Sequence, residues 1–194
     1  HASLTCSDLD IDPPQGANPD LPVFRRDCLM VSIGSLTLFV CHFKSPYPDA
    51  SAAWTTRRLE ALATRRLIEK TFQDSSEDLW IILGDLNEPN SSRVGCERAI
   101  APLEAGFAVD LMLRLPGKQR WTYYDPHSGL YHCPDAILVS PAVAELCAET
   151  EPVVVRKGLG VEVSRFGGAR LAGIGWHRPH ASDHAAVFID IPEP

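Results

Sequence analysis

Two short, nearly uninterrupted apolar runs constrain the fold of this chain more than any other feature. The run SLTLFVCHF at residues 35–43 predicts a strand with both faces covered, because a half-exposed strand alternates apolar with polar residues. It follows the apolar run CLMVSIG across a Gly34-Ser35 turn, so the two runs predict a β-hairpin. The run DLWIILGDLN at residues 78–87 predicts another buried strand, which ends in a loop.

A helix is predicted between these strands, from about residue 52 to about residue 72. Its apolar residues recur in two stripes, namely Leu59, Ala63 and Leu67, and Trp54, Ala61 and Ile68. The split leaves open which side of the helix faces the core. Four arginines of this helix are most simply interpreted as a solvated face: Arg57, Arg58, Arg65 and Arg66.

The rest of the chain predicts further strands, loops and one short helix. Residues 1–24 are rich in Asp, Pro and Asn, and residues 157–181 are rich in Gly, so both are expected to be loops. Residues 98–107 predict a short helix that ends near Gly106. Strands are expected in RWTYYDPHSGLYHCPDAILVS, as a strand, a turn and another strand, in EPVVVR and at residues 185–191. Many strands with few helices predict a single α/β domain over residues 1–194, a layered sandwich with a mixed sheet.

Composition narrows the possible functions. The chain has 194 residues, 45% of them hydrophobic, which fits one globular domain, and no apolar run is long enough to span a bilayer. A net charge of −7 disfavours tight non-specific binding of nucleic acid, for which a basic surface is expected. A metal-assisted phosphoesterase stays possible, because the cation supplies positive charge locally.

The cysteine pattern and the first residue say less about function than the net charge does. The six cysteines contain no CxxC pair and predict neither a zinc site nor disulfides. The chain opens with His1, so a processed product or a fragment of a longer parent is expected. The compartment and the oligomeric state stay open.

Polar residues stand at the end or start of four predicted strands. They are His42 in FVCHFKS, Asp85 and Asn87 in IILGDLN, Asp135 in PDAILVS, and Asp183 and His184 in SDHAAVF. Strand ends that meet on one edge of a sheet can bring such side chains together in a cleft.

Each of these clusters also has a simple structural interpretation. GDLN is typical of a turn, His42 is compatible with a buried, hydrogen-bonded histidine, and Asp135 with a cap or a salt-bridge partner. Asp183 next to His184 is more suggestive, because a carboxylate can orient an imidazole ring and raise its basicity.

Taken in order, four segments resemble the successive motifs of the endonuclease/exonuclease/phosphatase superfamily: VCHFKS, IILGDLN, TYYDPHSGLYHCPDAILVS and RPHASDHAAVFI. This group of metal-dependent phosphoesterases includes pancreatic deoxyribonuclease, abasic-site endonucleases, sphingomyelinases and inositol-phosphate phosphatases. The resemblance covers the chain from about residue 25 to its end. It implies a deoxyribonuclease I-like, four-layer α/β/β/α sandwich with mixed sheets and a site at one end of the two packed sheets.

The resemblance also implies a role for each site residue. Asp85 would orient and deprotonate the attacking water, and Asn87 would hold that water or a phosphate oxygen. His42 would donate to a non-bridging oxygen or assist the leaving group. His184, oriented by Asp135, would be the charged partner of the phosphate.

A divalent metal is implied as well, Mg²⁺ or else Mn²⁺. Asp183 would lie near this ion, and Asp85 and Asn87 would complete the metal-binding set. Oxygen ligands suit either cation, which would neutralise charge developing on the phosphate during in-line attack of water.

The chain departs from the family pattern at its start. The family usually begins with a strand that carries an Asn and a later strand that carries a metal-binding Glu, and neither is found. Glu60, Glu69 and Glu77 fall in or just after the predicted helix. The chain therefore resembles the later two-thirds of the domain, with the N-terminal strands apparently missing. A longer parent, a second chain or a truncated fold would account for this.

A smaller departure precedes Asp135. Cys133 and Pro134 stand where the family often has a basic and an apolar residue. Because proline lacks a backbone N–H donor, the strand is expected to start only at Asp135.

Two functions of different classes stay open. The first is a hydrolase of phosphate esters in nucleic acid, a phospholipid head group or a small phosphate ester. The second is a domain that keeps the fold without the activity and serves as a binding or interaction module, which the missing Glu favours. A third interpretation, an unrelated α/β protein, requires four ordered motifs to coincide by chance.

Overall fold

A five-stranded mixed sheet forms the centre of the computed structural model, which describes residues 3–15, 17–88, 97–104, 106–176 and 180–192. In spatial order its strands are β1 (Cys28–Ile33), β2 (Leu36–His42), β3 (Trp80–Asp85), β7 (Asp135–Val139) and β4 (Val109–Asp110). Two hairpins accompany it, β5 (Tyr123–Asp125) with β6 (Leu130–His132), and β8 (Val153–Val155) with β9 (Ala186–Phe188). The helices of the described residues are α1 (Cys6–Leu9), α2 (Ala50–Thr71) and α3 (Pro141–Leu146), with short 3₁₀ segments at Ala101–Leu103 and Leu111–Arg114. The fold is mixed α/β with few helices, as predicted.

The strand register aligns three predicted site residues. Strands β2 and β3 are parallel, since α2 connects them, whereas β3 and β7 are antiparallel. His42 lies opposite Asp85, and Asp85 lies opposite Asp135. Directly opposed residues project from the same face of a sheet, so the register alone brings these side chains side by side.

Helix α2 buries both of its apolar stripes, which explains why the sequence left its core-facing side open. Asp49 caps the helix by accepting the Ser51 and Ala52 N–H groups at 2.8 and 3.1 Å. One stripe, with Ala61 and Ile68, packs on the central sheet. The other, with Leu59 and Ala63, is covered by the N-terminal segment around α1.

The interpretation of the α2 arginines as a solvated face is wrong for Arg57. Only 2% of Arg57 is exposed, because its guanidinium donates to the Lys44 carbonyl at 3.1 Å and lies 3.5 Å from a Glu88 carboxylate oxygen. A buried charge is tolerated only where such partners exist. The other three lie nearer the surface, Arg58 paired with Glu97 and both Arg65 and Arg66 with Glu69.

The opposite face of the sheet is less completely covered than predicted. Ile81 and Val139 pack there against α3 and the C-terminal segment. The prediction that both faces of β2 are covered is wrong in part, because its residues alternate between buried and half-buried. The three-residue strands β8 and β9 are too short to cover this face of β1, where Leu29 and Ile33 are 49% and 62% exposed.

Several predicted elements differ in extent. The N-terminal loop contains α1, and the helix predicted over residues 98–107 is a single 3₁₀ turn. Residues 120–140 hold three strands instead of two, and the third starts at Asp135 as predicted. The last strand is shorter than the predicted 185–191. Residues 157–181 are loop wherever they are described. Within the described part of the chain, no helix combines the length and the apolar character needed to cross a membrane.

Candidate active site

The end of β3 and the loop after it contain two unusual backbone positions. Gly84 has φ +131°, and a Cβ on it would lie 2.0 Å from the Cys41 carbonyl oxygen, so only glycine fits. Asn87 has φ +53°, a left-handed conformation that asparagine tolerates. Its N–H donates to Asp85 Oδ1 at 2.9 Å, and its Nδ2 donates to the Phe43 carbonyl at 3.0 Å. The GDLN segment is therefore both a turn, the structural interpretation, and the support that aims Asp85.

His184 reaches the same place from the other end of the chain. The backbone N–H of Ala185 donates to the Thr122 carbonyl at 2.7 Å, and His184 forms an isolated antiparallel bridge with Tyr123. The imidazole lies against the Tyr123 ring, with 4.9 Å between ring centroids. These contacts join the segment before β9 to β5, beside the end of β7.

A chain of polar contacts between 2.8 and 4.0 Å links the predicted residues. His184 Nδ1 lies 2.8 Å from Asp135 Oδ2, and His184 Nε2 lies 4.0 Å from Asp85 Oδ2. His42 Nε2 approaches the same Asp85 oxygen to 3.5 Å from the opposite side. The hydroxyl of Thr122 donates to Asp135 Oδ2. Asp135 thus holds one imidazole nitrogen, and the other faces Asp85.

The electrostatics of the cluster favour a protonated His184. Burial raises the pKa of Asp85, and the charge of Asp135 adds to this, while the two histidines and the Asn87 N–H oppose it. Burial also disfavours a charged His184, but the hydrogen bond that its ring donates to Asp135 and the charges of Asp135, Asp85 and Asp183 outweigh it, so the pKa of His184 is raised. A cation at this position can therefore persist among carboxylates.

These side chains open into a cleft with a volume of about 650 Å³. Predicted residues that line it are His42, Asp85, Asn87, Asp183 and His184. Asp135 lies behind His184 and does not line the cleft. Further residues at its wall and mouth include Tyr47, Glu88, Tyr123, Asp125, His127 and His132. Such a volume is usual for small-molecule sites, which span about 300–1,000 Å³.

Sequence reasoning missed Thr122, Tyr123 and Glu88 as parts of the site. Thr122 and Tyr123 both lie in the TYYDP segment, which carries part of the resemblance and could have drawn attention to this stretch. Nothing in the sequence distinguished Thr122, whose hydroxyl binds Asp135, from an ordinary strand residue. Glu88 directly follows Asn87, but its burial against Arg57 depends on tertiary packing.

The donor atoms in the cleft fit a divalent cation that takes only a few of its ligands from the protein. In the residues described by the structure, no three His, Cys, Asp or Glu side chains converge as a metal cage. Mg²⁺ commonly takes only one or two carboxylates and leaves its other positions to water and substrate phosphate. Asp85 and Asp183, which line one cleft, suit that mode, and the Asn87 side-chain oxygen adds a neutral donor.

Comparison with known proteins assigns this chain to no family. The sequence matches no known protein-family profile, and a search of curated proteins finds no significant match. The function is therefore inferred from the residues and their geometry.

Proposed function

We propose that this chain is a divalent-metal-dependent hydrolase of phosphate esters, with its site in the cleft at the ends of β2, β3 and β7. The observation that carries the proposal is the line of contacts from Asp135 through His184 to Asp85. A carboxylate that orients an imidazolium, which in turn faces a second carboxylate, suits binding of a phosphate next to a water-activating base.

In the proposed reaction, Asp85 Oδ2 accepts a proton from the attacking water, whose oxygen forms the new bond to phosphorus. His184, charged and held by Asp135, stabilises the negative charge on the non-bridging oxygens. His42, on the other side of Asp85, donates a proton to the leaving oxygen as its bond to phosphorus breaks. Asn87 holds the water or a phosphate oxygen. Asp85, Asp183 and Asn87 would hold a Mg²⁺ or Mn²⁺ ion, which would neutralise the charge that develops on the phosphate.

The proposal includes a deoxyribonuclease I-like, four-layer α/β/β/α architecture for the whole domain. Support comes from α2 on one face of the central sheet and from β9, which pairs with β8, and the C-terminal segment on the other. The cleft lies where the β5–β6 hairpin and the segment before β9 meet the end of the central sheet.

The cleft favours a compact substrate over a long polyanion. Among the described residues that line it, none is Lys or Arg. Proteins that bind nucleic acid chains neutralise several phosphates with basic side chains. A small phosphate ester or a phospholipid head group is therefore preferred to nucleic acid.

A catalytically impaired binding module is the second candidate. The observation that favours it is the absence, within the described residues, of a three-residue metal cage. In that case the cleft would bind a phosphate-bearing ligand through His184 and His42 without turning it over.

Hydrolysis of bis-p-nitrophenyl phosphate separates the two candidates. The hydrolase predicts turnover with Mg²⁺ or Mn²⁺ that EDTA removes, and that falls about 100- to 10,000-fold in His184→Ala. Because 26% of the His184 side chain is exposed, the variant is expected to stay folded, as thermal unfolding will show. A folded wild-type protein without metal-dependent turnover on this or other phosphate esters would contradict the hydrolase and favour the module.

A further inference from the structure

A buried carboxylate that the proposed reaction does not use lies behind the site. Glu60 on α2 is fully buried. Its Oε2 accepts the Lys44 N–H at 2.7 Å, and its Oε1 accepts the Arg25 N–H at 3.1 Å. Each carboxylate oxygen thus takes one backbone donor, from two segments that are distant from each other in sequence. A charge removed from water this completely needs such partners to persist.

The segment that Glu60 holds, Phe43 and Lys44, is the backbone support of the site. It directly follows His42. The Phe43 N–H donates to the Asp85 carbonyl at 2.9 Å, and the Phe43 carbonyl accepts from Asn87 Nδ2 at 3.0 Å. His42 therefore adjoins this segment, and Asp85 and Asn87 are hydrogen-bonded to it.

Two arginines complete the support. Arg26 donates to the Phe43 carbonyl at 3.0 Å, and Arg57 donates to the Lys44 carbonyl at 3.1 Å. Together with Glu60 they bind a donor and both acceptors of two successive peptide groups. Such binding fixes peptide planes and, with them, the direction of the flanking side chains.

We propose that Glu60 is a positioning residue of the site: its ionised carboxylate fixes the Phe43–Lys44 backbone, and protonation of Glu60 loosens His42 and Asn87. This inference rests on the proposed hydrolase function, which it extends with a dependence on pH. Glu60 contacts neither substrate nor metal, so it acts only through the residues it holds.

The groups that face Glu60 determine when it ionises. Burial opposes ionisation, and the N–H groups of Lys44 and Arg25 and the charges of Arg26 and Arg57 favour it, which leaves the pKa of Glu60 raised to about 7. Arg57 is shared with Glu88, and the Cys41 thiol on β2 also lies within the field of Glu60. As the pH falls through about 7, one carboxylate oxygen of Glu60 becomes an O–H group. The protonated side chain can then no longer accept the Lys44 and Arg25 N–H groups equally well.

The test compares Glu60→Gln with Glu69→Gln, the same substitution on the same helix where the carboxylate is half-exposed. The glutamine at position 60 presents one oxygen and one NH₂ group, so it imitates the protonated state at every pH. We expect kcat with bis-p-nitrophenyl phosphate to fall about 10- to 100-fold with little change in KM, because misplacement of catalytic groups costs rates of this order. The acidic limb of the wild-type profile, with its midpoint near 7, should disappear in Glu60→Gln and stay in Glu69→Gln.

A second measurement does not need activity. In nitrogen–proton correlation spectra without metal or substrate, the Lys44 and Arg25 amide signals should shift together with a midpoint near 7, and Glu60→Gln should abolish that titration. Signals that do not titrate would overturn the inference, as would a Glu60→Gln enzyme with the wild-type rate and pH profile. A titrating pair of amides in a protein that hydrolyses no phosphate ester would support the anchor and contradict only the hydrolase.

Discussion

The end of the central sheet and its outer edge meet their surroundings in opposite ways. At the ends of β2, β3 and β7, polar side chains contact one another at defined distances, such as the 2.8 Å between His184 and Asp135. Along β1, apolar side chains face outward, and Ile33 is 62% exposed. Strand edges with free backbone groups and apolar side chains are prone to further pairing. Polar contacts thus define the cleft, whereas β1 contributes little buried area.

The largest effect is expected where the polar contacts are tightest. Asp135→Asn keeps the shape of the side chain but removes the charge that holds the His184 imidazolium, so hydrolysis is expected to fall about 100- to 1,000-fold. The raised pKa of His184 should return toward its ordinary value, as proton NMR of the ring will show. Asp125→Asn is the matched control, because the Asp125 carboxylate accepts from the His127 N–H and the Ser128 hydroxyl of its own turn. The His184 titration should be unchanged in this variant. An unaltered titration in Asp135→Asn would contradict the proposed role of Asp135.

The same pair predicts how stability depends on pH. Because the folded-state pKa of His184 is raised, its contribution is fully present below the unfolded value of about 6.5 and is lost as the pH rises through the folded-state pKa. The difference in unfolding free energy between wild type and Asp135→Asn should therefore shrink over that range. Chemical denaturation at a series of pH values measures it.

Much of the scaffold could be predicted from the sequence, and the reason is local. The β1–β2 hairpin, helix α2 and the start of β7 at Asp135 depend on apolar spacing, the Gly34 turn and the missing N–H of Pro134. These signals act within a few residues, so one sequence suffices to find them.

The assembly of the site could not be predicted by the same reasoning. That His42, Asp85 and Asp135 lie side by side follows from strand order and register, which are set by tertiary packing. Arg57 was wrongly predicted to be solvated for the same reason, since its partner Glu88 lies 31 positions further along the chain (88 − 57). The candidate residues stood out in the sequence at strand ends and took their expected roles from a resemblance, whereas only the structure brings them into one cluster.

Core and edge apolar residues should respond very differently to truncation. Phe39 on β2 is fully buried against α2, and Phe39→Ala is expected to cost about 3–5 kcal/mol of unfolding free energy. Ile33→Thr on β1 should cost about 0.5 kcal/mol or less, because most of its side chain already contacts water. Urea denaturation compares the two. A cost above that of Phe39→Ala for the β1 variant would show that β1 is covered in solution.

An effect on stability of the opposite sign is expected at Asp85. Burial and the neighbouring Asp135 raise the pKa of Asp85, so ionised Asp85 destabilises the folded state. Asp85→Asn should therefore stabilise the protein by about 1 kcal/mol at neutral pH, a gain of the size that replacing functional residues often gives. This gain should vanish as the pH falls below about 4, where the unfolded-state carboxyl is protonated too. A loss of stability at neutral pH would mean that the histidines stabilise ionised Asp85 more than burial destabilises it.

The most direct test of the central claim is the initial rate of bis-p-nitrophenyl phosphate hydrolysis by wild type and Asp85→Asn, each with Mg²⁺ and with EDTA. If Asp85 activates the water, the wild-type rate depends on the metal and the folded variant loses about 100-fold or more. Metal-dependent turnover that survives Asp85→Asn would contradict the account, because the reaction would then take place without the residue on which the cluster converges.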